Sequence, residues 1–378
     1  MKKIIIITTV PMSIATLIKG QAKYLSQFFE VQLITSYSEI NKDIEDYEGV
    51  KVKSINMTRK ITIFKDLKSL LDIYFFILKE KPEIVYTFTP KAGLLGMIAS
   101  FFARVPVRVH NIVGMPLMEA KGKKKYLLKF IEKLTYFFST KLLCNSFGLK
   151  NYINKNLTKK DIKIIGNGSI NGVDTDYFND NFNDNDKKNI RLKYNINEKD
   201  FILIFVGRIV KDKGINELVE AFVELKKVYN DIKLLLVGDY EKDLNPIKQK
   251  NMDLINELED IIFVGFQDDI REFLAISNIF ILPSYREGLP NSLIEAGSCG
   301  IPLIATNING CNEIVINNDT GLLVEKKSMQ SLKNAIELLL INSNLYKKIK
   351  SKVRGSIIKR YSQKYFLNEL RNELEKII

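Results

Sequence analysis

The chain has 378 residues, about twice an ordinary domain, with 46% hydrophobic and 27% charged residues and no apolar run near the roughly 18 residues of a membrane span. These values exclude a disulfide-stapled mini-protein and a membrane-spanning chain, and they predict a soluble protein of two domains, each burying its own core. The 57 Lys and Arg against 44 Asp and Glu leave a net +13, which favours anionic partners (phosphates, nucleic acid or acidic lipid), although a composition rich in Ile, Lys and Asn is a competing source of that charge.

The amino terminus, Met1-Lys2-Lys3 followed by Ile4 to Val10, is closed by Pro11 without a small-residue cleavage site, so it reads as a first buried strand rather than a secretory signal. Further short apolar runs follow at Val31 to Ile34, Ile84 to Thr87, Val107 to Asn111 and Leu142 to Cys144, separated by segments of helical period. Such alternation predicts βαβ units on a parallel sheet. A second series runs through Phe201 to Val206, Lys233 to Val237, Ile261 to Val264, Ile279 to Leu282, Pro302 to Ala305 and Leu322 to Val324. The predicted fold class is therefore α/β with two doubly wound, Rossmann-like domains.

Between the two series lies Asn171 to Lys188, whose run Asn179-Asp180-Asn181-Phe182-Asn183-Asp184-Asn185-Asp186 is too polar for a strand and too turn-rich for a helix. It lacks the glycine and terminal glutamate of an EF-hand, so a solvated connection is expected. The expected division is residues 1–178, a linker at 179–196, residues 197–360, and an amphipathic helix over 361–378 that either caps the second domain or crosses back to the first.

Three cysteines, Cys144, Cys299 and Cys311, are odd in number and lack metal-ligand spacing, which points to a reducing compartment. His110 is the single histidine, and this excludes any mechanism that needs two imidazoles. Chemistry must then rest on carboxylates, lysine, arginine and backbone dipoles.

In the second series apolar strands end on small or turn residues: Val206-Gly207, Val237-Gly238, Val264-Gly265 and Leu282-Pro283-Ser284. Ligands of open α/β sheets bind outside the carboxyl ends of strands, so a site lining an interdomain cleft is expected there. One such segment is Gly207-Arg208-Ile209-Val210-Lys211-Asp212-Lys213-Gly214, where the Arg208 fork and the Lys213 point charge suit a diphosphate; a solvated basic turn is the alternative. Another is Arg286-Glu287-Gly288-Leu289-Pro290-Asn291-Ser292-Leu293-Ile294-Glu295-Ala296, in which Pro290 suits the first position of a helix. That helix would offer the N–H groups of Asn291, Ser292 and Leu293 to an anion. Singly, Glu287 is equally a helix-dipole partner and Glu295 a buried hydrogen-bonder.

Taken together, Glu287-x7-Glu295 downstream of a Gly-Arg-x4-Lys-Gly loop resembles the retaining glycosyltransferases of family 4, whose two Rossmann-like domains face across a cleft in the GT-B architecture. Agreement extends to Asn171-Gly172-Val173-Asp174 with Phe178, to Phe263-Val264-Gly265-Phe266, and to Gly310-Cys311-Asn312-Glu313 before Asn318-Asp319-Thr320-Gly321-Leu322-Leu323-Val324. The resemblance implies that Arg208 and Lys213, after Gly207, hold the donor diphosphate and stabilise the departing nucleotide. It implies that Glu287 contacts the transferred sugar, Glu295 the ribose hydroxyls, and the backbone from Gly288 and Leu289 to Asn291, Ser292 and Leu293 the phosphate, with Phe266 near the base. No metal cofactor is then required, because cations and helix N–H donors act on the leaving group.

The implied reaction moves a hexose or N-acetylhexosamine from a nucleoside-diphosphate sugar, UDP foremost, to a polyprenyl-diphosphate-linked saccharide in surface polysaccharide or glycan assembly. The implied location is cytoplasmic, peripheral on the inner membrane surface. Two other functions compete: a UDP-sugar 2-epimerase of the same architecture, disfavoured by the lone histidine, and a basic nucleic-acid-binding protein, for which no module signature is present. Family members often carry a histidine where Arg108-Val109-His110-Asn111-Ile112-Val113-Gly114-Met115-Pro116 has Val113, so the histidine role is not transferred to His110, which is expected in the core or on a strand surface. The loop Thr8 to Ser13 lacks the common glycine pair. Lastly, Lys121, Lys123, Lys124 and Lys125 precede a helical run from Tyr126 to Phe138; the apolar face is expected to pack on the first domain and the lysines to meet anionic lipid.

Overall fold

The computed structural model describes residues 1–377 apart from 59–61, 119 and 242–244, so Ile378, the last residue of the expected terminal helix, lies outside the described residues. Two compact units divide the chain: Met1–Gly172 with Gln363–Ile378, and Val173–Ser362.

The first unit is built on a seven-stranded sheet in the order β3-β2-β1-β4-β5-β6-β7. Its strands are β1 (Lys3–Ile7), β2 (Glu30–Thr35), β3 (Val52–Ser54), β4 (Ile84–Phe88), β5 (Val107–Ile112), β6 (Lys141–Cys144) and β7 (Ile162–Ile164), and every pairing is parallel. Ile4 to Ile7 are fully buried because a central parallel strand is covered on both faces, and the same cause makes the strand apolar without interruption. The edge strands β3 and β7 have only three residues each, centred on Lys53 and Lys163, which is why apolar runs alone do not reveal them.

The second unit repeats the design on six strands in the order β10-β9-β8-β11-β12-β13, again all parallel. These are β8 (Phe201–Val206), β9 (Ile232–Val237), β10 (Ile261–Gly265), β11 (Ile279–Leu282), β12 (Leu303–Thr306) and β13 (Gly321–Val324). Counted from β8, this is the Rossmann order, and the chain reverses its direction of progress across the sheet between β8 and β11. In the first sheet the corresponding reversal lies between β1 and β4.

The polar run at 179–186 differs from expectation. It leads directly into a helix, Asp184–Lys193, and its Asn and Asp residues are the helix signal: Asn183 accepts from the Asp186 N–H at 2.9 Å while the Asp186 carboxylate accepts from the Asn183 N–H at 3.1 Å. This reciprocal capping box stabilises a helix start by satisfying two otherwise unpaired donors. The helix lies within the second unit, and the chain passes between units at Gly172/Val173 and again at Ser362/Gln363. Helix Gln363–Lys376 accordingly supplies Phe366, Leu367, Leu370 and Leu374 to the first unit's core beside Ile4 and Ile6.

The helix Gly122–Phe138 also departs from expectation. Leu128, Ile131, Leu134 and Phe138 turn partly inward, but Tyr126, Leu127, Phe130 and Phe137 are exposed, so only half of the apolar run packs on the unit.

Candidate active site

The loops that follow β8 and β11 flank the reversal of strand order in the second sheet, where neighbouring connections leave in opposite directions and open a crevice. The carboxyl edge there is almost bare backbone. Gly207 donates to the Val237 carbonyl at 2.9 Å and Gly238 donates to the Gly265 carbonyl at 2.8 Å, continuing the ladder past three adjacent strands. Gly238 has φ +134, and a Cβ at that position would collide with the Gly207 carbonyl.

The two loops are stitched together. Gly214, left-handed at φ +73, turns the chain from the short 3-10 segment Lys211–Lys213 into helix Ile215–Lys226, and a Cβ there would strike the Pro283 carbonyl. Tyr285 donates its N–H to the Asp212 carbonyl at 2.7 Å, and the Arg286 guanidinium grips the Asp212 carboxylate at 2.9 and 2.7 Å. Between these ties Lys213 Nζ donates to Glu287 Oε1 at 2.6 Å, the two side chains being only 20% and 11% exposed. From the far side Gly310, at φ +79, lies so close to the Gly288 carbonyl that only a hydrogen fits, and Asn309 Nδ2 reaches the Glu287 and Gly288 carbonyls at 3.4 and 3.3 Å.

Helix Asn291–Ser298 then starts one residue later than expected, with Pro290 as its N-cap rather than its first turn. A proline N-cap has no side-chain acceptor, so no side chain of that residue competes for the first N–H groups. Asn291 and Ser292 are half-exposed, whereas Leu289 and Leu293 are buried and anchor the turn in the core. Four residues into the helix stands Glu295, whose carboxyl is pushed up to about 7 by burial. An acid so placed ionises readily only when donors arrive to solvate the charge.

Arg208 behaves differently from Lys213. Its side chain is 55% exposed, and its guanidinium bonds Glu241 at 2.6 Å beyond the end of β9. Phe266, 64% exposed after β10, is held at its N–H by Asp239 Oδ1 at 3.1 Å and presents a ring to solvent. The structure thus brings Lys213 and Glu287 into contact, sets Gly288, Leu289, Asn291, Ser292, Leu293 and Glu295 on the same loop and helix, and gives Arg208 a carboxylate of its own. Asp212, Glu241 and Asn309 do not stand out in the sequence, since each acts across separations that no local pattern reports.

His110 is a core residue. It lies on β5 with 2% exposure, shares a 2.9 Å hydrogen bond through Nδ1 with Thr87 Oγ1, and is held neutral because burial lowers it to about 4. Gly93 leaves the space its ring occupies. Val113 is half-buried against the first unit's core.

A family model described as "Glycosyl transferases group 1" matches residues 186–356, spanning both stitched loops and Glu295. The capsular polysaccharide biosynthesis glycosyltransferase CapM of Staphylococcus aureus is 34% identical over 373 residues, covering 98% of this chain and 96% of that protein. The chain belongs to the group 1 glycosyltransferases. This glycosyltransferase is also 32% identical to the Escherichia coli UDP-Gal:alpha-D-GlcNAc-diphosphoundecaprenol alpha-1,3-galactosyltransferase, over 82% of this chain and 79% of the relative. Among solved structures, Anabaena HepE in complex with UDP superposes with TM-score 0.83 over 100% of both chains at 18% identity, a likeness that shows the GT-B fold. A Rickettsia africae glycosyltransferase gives TM-score 0.79 at 25% identity, covering 100% of this chain and 98% of that one.

Proposed function

We propose that this glycosyltransferase moves a hexose or N-acetylhexosamine from a UDP-sugar to a polyprenyl-diphosphate-linked saccharide in polysaccharide or glycan assembly, with retention at the transferred carbon and without a metal. The observation that carries the reading is the half-buried Lys213–Glu287 contact at the strand-order reversal, beside a helix start capped by proline. In the resting site each charge satisfies the other, which offsets part of their desolvation. A donor offers both a better partner: its diphosphate takes the Lys213 ammonium and the N–H groups at Asn291 to Leu293, and its sugar hydroxyls donate to the Glu287 carboxylate.

As the bond from sugar to phosphate breaks, its electron pair leaves with the nucleotide and the sugar carbon gains oxocarbenium character. Lys213 and the helix N–H groups, fixed before the reaction, stabilise the charge growing on the phosphate. Arg208 swings from Glu241 to the same diphosphate, Glu295 accepts from the ribose hydroxyls, and Phe266 stacks near the base. The acceptor hydroxyl attacks from the face the phosphate leaves, and its proton passes to that phosphate. Relatives support the acceptor class: besides the E. coli enzyme, an N,N'-diacetylbacillosaminyl-diphospho-undecaprenol alpha-1,3-N-acetylgalactosaminyltransferase of Campylobacter jejuni is 28% identical over 84% of this chain. The reading puts the enzyme on the cytoplasmic face of a membrane, with Lys121, Lys123, Lys124 and Lys125 toward anionic headgroups.

Calorimetric titration of UDP, GDP, ADP and CDP into the wild type and the Arg208→Ala, Lys213→Ala double variant tests it. Selective UDP binding, weakened about tenfold or more in the variant, is expected from the loss of charge-assisted hydrogen bonds. Binding of another nucleotide changes the donor, and equal affinity in the variant removes both cations from the site.

A further inference from the structure

The first unit carries an apolar surface that is exposed among the described residues. In helix Ile63–Glu80, Ile73 and Ile77 point into the core against the sheet. With about 3.6 residues per turn, Phe64, Leu71 and Phe75 lie roughly half a turn from Ile73 and point away from it. Phe64 is 90% exposed and Phe75 62%, with Leu67 and Leu78 exposed beside them. The neighbouring helix Pro90–Phe102 packs on this one, lies over the same core and ends in the exposed pair Phe101 and Phe102. Both rings meet Phe138 of helix Gly122–Phe138, with centroids 4.9 and 6.3 Å away, and Phe138 in turn meets Phe137 at 5.1 Å. That third helix adds Phe130, 62% exposed, and Phe137, 69% exposed. Three successive helices on one side of one sheet thus present aromatic and leucine side chains outward, far more than the scattered single residues of an ordinary surface.

The charges around these side chains identify what covers them. Lys65, Lys68 and Lys79 are exposed on the first helix against the exposed Asp72, while Asp66 bonds Lys91 at 2.6 Å and Glu80 bonds Lys3 at 2.9 Å. On the third helix Lys123, Lys124, Lys125 and Lys133 are exposed, joined by Lys121 just before it, and its one acid, Glu132, is buried. Apolar side chains that project outward from a cationic surface match a bilayer with anionic headgroups: the rings enter the acyl boundary while the lysines meet phosphates. Among the described residues no helix is long and apolar enough to cross a membrane, so the contact is with one leaflet.

We infer that helices Ile63–Glu80, Pro90–Phe102 and Gly122–Phe138 form a docking face that inserts Phe64, Phe75, Phe130 and Phe137 into an anionic lipid leaflet. The face extends the lysine contact of the proposed function into a hydrophobic anchor, and it gives a lipid-linked acceptor a surface on which to be met. The chain contains no tryptophan, so single Phe75→Trp and Phe130→Trp variants report on their surroundings without background. Added to vesicles of phosphatidylglycerol and phosphatidylcholine, both are expected to shift to the blue and to be quenched by brominated acyl chains. Val228→Trp, at an exposed position in the second unit, is expected to do neither. The triple variant Phe64→Ser, Leu71→Ser, Phe75→Ser is expected to lose at least tenfold in vesicle partitioning with unchanged UDP affinity. Absent blue shifts, equal shifts at Val228→Trp, or unchanged partitioning of the triple variant overturn the inference. So does a concentration-dependent dimer that the triple variant abolishes, which would make the face an interface between copies. The vesicle assay contains neither donor nor acceptor, so its failure and that of the nucleotide titration are read separately.

Discussion

The two sheets share the order of six strands, the first adding β7 at its edge, but their carboxyl edges are made of different material. In the second unit the edge is backbone: Gly207, Gly238 and Gly265 end three adjacent strands, and Gly214 and Gly310 let two loops touch carbonyls of neighbouring chain. In the first unit the edge is side chain. Thr8 bonds Thr35 at 3.2 Å, Thr9 bonds Thr89 at 2.7 Å, and the Asn111 amide donates to the Tyr86 hydroxyl at 2.8 Å. A backbone edge tolerates one geometry and must keep its glycines, whereas a side-chain edge can be refitted one residue at a time.

The largest effect should come from chemistry at the backbone edge. Glu287→Gln keeps the shape of the site but removes the charge proposed to face the sugar, and transfer is expected to fall about 10²- to 10³-fold. UDP affinity should hold or rise, since Lys213 loses its competitor; turnover equal to wild type would refute the assignment.

A stability comparison sharpens the contrast directly. Gly238→Ala forces a Cβ into the Gly207 carbonyl at φ +134 and is expected to cost about 2 kcal/mol or more in urea unfolding. Thr9→Ala, at the other edge, loses one hydrogen bond and should cost about 1 kcal/mol. Equal costs would erase the distinction between the edges.

The third effect depends on pH. Glu295 sits at about 7 in the folded chain against an ordinary 4.5, so the native state holds a proton that the unfolded state has given up, and its burial becomes steadily more costly as pH rises through that window. In the proposed ribose contact the hydroxyls donate best to the ionised form, so UDP affinity is expected to rise about tenfold from about pH 5.5 to about pH 8. Glu295→Gln should flatten that profile and raise the thermal midpoint at pH 8 more than at pH 5. A profile unchanged by the substitution would take Glu295 out of the ribose contact.

Smallest of all is the expected result of Glu241→Ala. The Arg208–Glu241 pair is half exposed, and such pairs contribute about 1 kcal/mol or less. Freeing Arg208 should tighten UDP by no more than about threefold by titration calorimetry.

The sequence makes legible what local geometry demands. Central strands such as Ile4 to Ile7 and Phe201 to Val206 are visible because parallel strands covered on both faces are apolar throughout. Edge strands with a central lysine are not. The glycines of the Gly-Arg-x4-Lys-Gly loop can be read because the turn needs them, whereas its two cations and the two glutamates stand out only through their resemblance to family 4 enzymes. The braces at Asp212 and Asn309 cannot, because they join loops from different strands. The polar run before Asp184 misleads because the residues of a capping box are also turn residues. Gly122–Phe138 teaches a different limit: helical periodicity shows that a face is apolar, but burial depends on what the rest of the chain brings to it.

One consequence concerns the order of synthesis. The second unit is inserted within the first, entered after Gly172 and left after Ser362, with Val173 and Ser362 bridged where the two connections meet. A ribosome therefore finishes all of Val173–Ser362 before it makes the helix that carries Phe366, Leu367, Leu370 and Leu374 into the first unit's core. The unit begun first is completed last, and until then the core that Ile14, Ile18 and Leu25 share with its central strands lacks the terminal helix's four apolar side chains, while the younger unit already has every strand it needs.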